Sequence, residues 1–260
     1  MRSSKTPESI WHDLGILDPA HADIEVMAYF CGATVEYRNL DGCAARIIGL
    51  GNRAIITVNK EDSVERQRFS IGHELGHWIR DRGKAFFQCV HGDLSPKNLK
   101  NYINDPEAAA NHFAVELLMP KILFRESARN RPITMTTALG LKEDFRVSLT
   151  AAAIRLVQLG SYPSFVACHD EKGYLWSWRH ENIPLSIRVR RLLSKNTAAY
   201  RLIFDPGYSE EGAIDVDADD WVEHERASEY VVKEDSMRIG HNKVLSLIWW
   251  HDESQITDIN

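Results

Sequence analysis

Apolar positions along the chain change their period several times, and those changes outline its elements. From Ile10 to Leu17 and from Ile24 to Phe30 they recur at helical spacing. Short β-rich runs follow at Thr34–Tyr37, Ala45–Leu50 and Ala54–Val58, so two helices and a small sheet are predicted. Asp62 with Glu65 three positions on has capping-box spacing, and Gly83 stands where a C-terminal cap belongs. A helix of about five turns is therefore predicted over Ser63–Arg82.

After a loop over 83–104, the order Asp105-Pro106-Glu107 reads as an N-cap, a proline at the first helical position and an acid in the first turn. A second helix should run from there to Met119, ending before Pro120. Further helices are predicted at 121–129, 134–145 and 148–159, with Ser148 as a cap and Gly160 as a stop. Beyond Ser161 the pattern turns strand-like at Ser164–Cys168, Tyr174–Trp178, Tyr230–Val232 and Val244–Trp250, with helices around Leu185–Leu193 and Ala198–Ile203. The chain is thus read as α+β, in three segments: 1–120, a helical 121–160, and an α+β region 161–260.

Composition adds bounds rather than detail. With 260 residues, 44% of them hydrophobic, the chain has ample material for a core. No apolar run reaches signal-peptide or membrane-span length, so a cytoplasmic protein without membrane contact is expected. Cys31, Cys43, Cys89 and Cys168 form no CxxC pair, which argues against a disulfide framework or a thiolate zinc knuckle and for buried, reduced thiols. The net charge of -6 hides an asymmetry: Lys121–Gly160 carries seven bases against three acids, and Asp205–Asp235 twelve acids against two bases. A solvated helical surface accounts for the basic excess better than a nucleic-acid footprint does.

The chemistry concentrates at His73-Glu74-Leu75-Gly76-His77. Residues four apart share a helix face, so both imidazoles can meet one ion, and Glu74 can reach a water on it. A catalytic zinc takes three protein ligands and leaves a fourth position for water. Glu74 would then be the general base in peptide hydrolysis by metal-activated water. The strand Ala54–Val58, just upstream, is a candidate to pair with an extended substrate.

The third ligand stays open on spacing alone. A metzincin would place glycine and histidine three and six residues after His77, where Arg80 and Gly83 stand, so that class is excluded. Glu107 fits a site of two histidines and a glutamate, yet an acid there also complements the helix dipole. Asp81, His91, Asp105 and Glu116 compete with it.

Two blocks, Glu65-Arg-Gln-Arg-Phe-Ser-Ile-Gly-His-Glu-Leu-Gly-His77 and Glu107-Ala-Ala-Ala-Asn-His-Phe-Ala-Val-Glu-Leu-Leu-Met-Pro120, resemble the ImmA/IrrE family of zinc metallopeptidases. The likeness implies a zincin-like fold for 1–120 and Glu107 as third zinc ligand. Asn111, one turn on, becomes a candidate to orient a ligand. Asp81, where many members have histidine, is a candidate to orient His77, although capping a surface turn is the favoured reading. Phe145–Gly160 is similar to the end of a helix-turn-helix-like unit, and residues 161–260 would correspond to the GAF-like sensor region of some members. Known members cleave DNA-bound helix-turn-helix repressors and so derepress stress-response or mobile-element genes. By resemblance the partner here is such a repressor.

A rival reading is a DNA-binding regulator with a structural zinc. No fourth protein ligand is evident, and the helix 148–159 offers little beyond Arg155 and Gln158 to base edges, so direct nucleic-acid binding is not favoured. Asp215-Val-Asp-Ala-Asp219 starts like an EF-hand loop, but Asp220 and Arg226 occupy its glycine and glutamate positions. Trp176, Trp178, Trp249 and Trp250 are read as core packing.

Overall fold

The computed structural model describes residues 5–80, 105–240, 242–250, 252 and 254–259. Its contacts divide into two compact units, one of residues 1–124 and 143–148, the other of 125–142 and 149–260. The helical segment expected at 121–160 contributes residues to both.

In the first unit, α1 (Pro7–Asp13) opens on a capping box between Thr6 and Ser9, several residues earlier than the apolar spacing suggested. Asp23 caps α2 (Ile24–Phe30). Three strands follow, β1 (Ala33–Arg38), β2 (Ala45–Leu50) and β3 (Arg53–Asn59), in the order β1-β3-β2. Because β3 pairs with β1 in parallel and with β2 antiparallel, both its edges are taken. The expectation that β3 receives an extended substrate therefore fails, since a strand needs a free edge for that.

Next comes α3 (Val64–Arg80), carrying the histidine pair. Its first turn is held by Ser63, whose hydroxyl accepts from the Arg66 N–H, so Ser63 and not Asp62 is the cap. Gly83, the expected stop, lies outside the described residues. The helix buries Ile71, Leu75 and Trp78, while the Trp78 ring fills the place a Cβ on Gly49 of β2 would take. Trp78 also donates its indole N–H to the Cys31 carbonyl at 3.0 Å. Arg68, 6% exposed, donates to the carbonyls of Ala22 and Arg146, which satisfies a guanidinium that burial would otherwise penalise.

The helix α4 (Pro106–Leu118) lies along α3, and Trp11 of α1 donates to its Leu117 carbonyl at 2.8 Å. Three more helices follow, α5 (Lys121–Ala128), α6 (Met135–Phe145) and α7 (Leu149–Leu159).

The second unit is built on β4 (Ser164–Asp170), β5 (Gly173–Arg179), β7 (Ile214–Asp217), β9 (Val231–Arg238) and β10 (Lys243–Trp249), in the antiparallel order β5-β4-β10-β9-β7. A small ladder joins β6 (Arg188–Val189) to β8 (Val222–Glu223), and α8 (Ala198–Phe204) and α9 (Ser254–Ile259) complete it. The helix expected at Leu185–Leu193 is absent, its centre being β6, and the acidic run from Asp215 falls partly in the edge strand β7. Phe165, Leu202, Trp221, Ile248 and Trp250 belong to the core of this unit. Trp249 is buried as well, whereas Trp176 and Trp178 are only half-buried. Cys31 and Cys168 are buried free thiols, Cys43 is half-exposed, and Cys89 lies outside the described residues.

Mixed α+β architecture is thus present, with no described helix long and apolar enough to cross a membrane.

Candidate metal centre

Two glycines explain how a residue thirty positions after His77 reaches the histidines. Gly72 and Gly76 sit one turn apart on the side of α3 that meets α4. A Cβ on Gly72 would lie 3.3 Å from the Ala114 Cα, and one on Gly76 would lie 3.1 Å from the Ala110 Cα. With small residues on both helices at the crossing, the backbones approach closely. That closeness carries the first turn of α4, and Glu107 with it, over the histidine face of α3.

There the Nε2 atoms of His73 and His77 are 3.1 Å apart. One Glu107 carboxylate oxygen lies 3.2 Å from His73 Nε2 and the other 3.3 Å from His77 Nε2. Ligands about 2.0–2.1 Å from a tetrahedral ion stand about 3.3 Å from one another, so each of these contacts has the length of a donor-to-donor edge of such a coordination shell. These three residues are able to hold a metal ion and form the one group of this kind among the described residues. The donor set, two imidazole nitrogens and a carboxylate, fits zinc.

Electrostatics follow the geometry. Hydrogen bonds from His73 and then His77 hold the Glu107 carboxyl well below the usual carboxylate range, against a smaller opposing effect of burial. Burial by itself lowers the His73 pKa, but the Glu107 hydrogen bond, the charges of Glu74 and Glu107 and the Asn111 bond raise it overall. His73 Nδ1 lies 2.8 Å from Asn111 Oδ1. A carbonyl oxygen only accepts, so His73 carries a proton on Nδ1, and Nε2 is the nitrogen left to ligate an ion.

The structure thus brings His73, His77, Glu107 and Asn111 together. Glu74, on the same helix, is 1% exposed and near enough for its charge to act on His73. Asp81 and the competing ligand His91 lie outside the described residues. Glu116 and Asp105 are not in the metal group. Sequence reasoning did not single out Gly72 and Gly76, whose spacing of four was visible but whose partners on α4 were not. It also left Phe69 unremarked, one turn before His73 with its ring centroid 6.2 Å from the imidazole.

A family model described as Peptidase_M78, IrrE N-terminal-like domain, matches residues 32–157. That span contains the motif helix, Glu107 and Asn111, and it bears out the resemblance read from the two sequence blocks. No curated protein matches the chain. Among solved structures, a Mycobacterium tuberculosis transcriptional regulator is similar, with 14% identity and a TM-score of 0.51 over 96% of this chain and 88% of that one. At that identity the likeness is one of fold.

Proposed function

From the premise that residues 32–157 belong to the Peptidase_M78 family, with the peptidase-like activity that membership carries, we propose that the protein is a zinc-dependent endopeptidase. The observation that supports this most is the set of three mutual contacts of 3.1–3.3 Å among His73, His77 and Glu107. Glu107 is 49% exposed. Among the described residues the group is therefore open on one side, as a catalytic zinc site is and a closed structural site is not.

His73, His77 and Glu107 hold the ion, and Asn111 fixes the His73 tautomer that binding needs. Zinc, when bound, supplies Lewis acidity, which brings the pKa of water toward neutrality and polarises a peptide carbonyl. Glu74 takes the proton of the attacking water and delivers it to the departing amide nitrogen. Burial of Glu74 shields that exchange from bulk solvent.

The substrate class follows from the family resemblance: a helix-turn-helix repressor held on DNA, cleaved in the cytoplasm. The C-terminal sheet is proposed to be the GAF-like sensor region, an assignment supported by its five antiparallel strands with helices alongside.

Metal analysis of the purified protein, beside its Glu74→Gln form, tests the reading. About one zinc per chain is expected in both. Cleavage of a repressor–DNA complex should be confined to wild type. A chain that neither contains zinc nor takes it up would overturn the proposal.

A further inference from the structure

We propose that Asp105 is a positioning residue for the metal centre, acting through Glu107. The inference rests on the metal-centre reading and concerns what holds its least buried member. The side chains of His73 and His77 are 12% and 3% exposed, so packing keeps them in place, whereas that of Glu107 is 49% exposed. Beyond its contacts with His73 and His77, its placement depends on the backbone turn that carries it.

Glu107 is the second residue of α4, and the N–H groups of a first helical turn have no partner within the helix. Asp105 supplies that partner. Its Oδ1 accepts from the Glu107 N–H at 3.0 Å, and its carbonyl accepts from the Ala109 N–H at 3.0 Å, closing the turn around Glu107. Asp105 itself has the extended backbone of a cap, φ -108° and ψ 113°, and Pro106 presets the next residue for the helix. A metal-binding constellation needs its donors held within about 0.5 Å. A first turn that frays without its cap shifts the backbone from which Glu107 reaches His73 and His77. Asp105 is therefore an acid beside the metal group that is engaged with backbone and stands outside the three candidate donors.

Zinc affinity measured by competition with a chromophoric chelator distinguishes this from a ligand role and from no role. The full chain is compared with Asp105→Ala, Asp105→Asn and Asp105→Ser, and the thermal unfolding of each is followed in excess chelator. Asp105→Ala should weaken zinc binding by about 10-fold or more, the range typical for residues that orient ligands. Asn and Ser also cap helices, so Asp105→Asn and Asp105→Ser should stay within about 3-fold of wild type. Asp105→Ala binding as tightly as wild type would overturn the proposal. So would Asp105→Asn binding as weakly as Asp105→Ala, because that result makes the carboxylate a ligand. Wild type that takes up no zinc would sink the metal-centre reading itself, and this inference with it.

Discussion

A methyl group added at Gly76 of α3 would come within 3.1 Å of the Cα of Ala110 on α4. That contact places the metal group's geometry under the control of helix packing. His77 follows Gly76 directly, and Glu107 stands three residues before Ala110, so anything that separates the helices separates the donors.

Gly76→Ala should therefore weaken zinc binding several-fold while leaving α3 helical. At an exposed helical site the change would stabilise by about 1 kcal/mol. Here the obstructing atom belongs to backbone, and overpacking costs about 1–3 kcal/mol, which outweighs the gain. Chelator competition and thermal unfolding check both effects; unchanged zinc affinity would show that the crossing has slack.

Asn111→Leu removes the acceptor 2.8 Å from His73 Nδ1 while keeping the side chain's size. A loss of about 10–100-fold in zinc affinity is expected. Asn111→Asp, which keeps an oxygen there, should recover much of it. Equal affinities for all three proteins would mean that the bond does nothing for the ligand.

What the chain disclosed about itself depended on how local the signal was. The pair His73 and His77, the cap at Asp105 and the stop at Pro120 are features of a few neighbouring residues, so α3 and α4 were legible. Leu185–Leu193 has helical spacing, yet pairing of Arg188 and Val189 with Glu223 and Val222 makes its centre a strand. In Ile214-Asp-Val-Asp217 the acids masked a period of two that buries Val216. Gly72 and Gly76 carried no local signal of their role, which depends on Ala114 and Ala110 standing against them. His73 and Glu107 stand 34 positions apart, and spacing alone could not separate Glu107 from other acids.

Zinc held by the folded chain at a site assembled from two helices would stabilise that fold, so its removal should destabilise the protein. Free zinc at about 100 times its dissociation constant contributes about 2.7 kcal/mol. Excess chelator should lower the melting temperature of wild type accordingly and leave His73→Ala unaffected. A His73→Ala protein as sensitive to chelator as wild type would place the stabilising metal elsewhere.

Glu234, fully buried in the second unit, supplies a test of stability away from the metal. Its carboxylate accepts from the N–H groups of Ala198 and Ala199 at 3.1 and 2.7 Å and from the Ser236 hydroxyl at 2.7 Å. Burial nevertheless raises its pKa above the ordinary 4.5, outweighing the Ser236 and backbone hydrogen bonds that pull it down. Between 4.5 and the raised folded value, the folded chain holds a proton there that the unfolded chain has lost. Rising pH therefore removes stability across that window, and the loss levels off once both states are ionised. Glu234→Gln cannot ionise and should lack this component, so its stability relative to wild type should increase with pH across the window. Glu234→Ala leaves three donors without their acceptor and should cost about 2–4 kcal/mol at every pH. Urea unfolding of the three proteins from pH 4.5 upward checks both expectations, and parallel curves for wild type and Glu234→Gln would show that Glu234 does not titrate differently on folding.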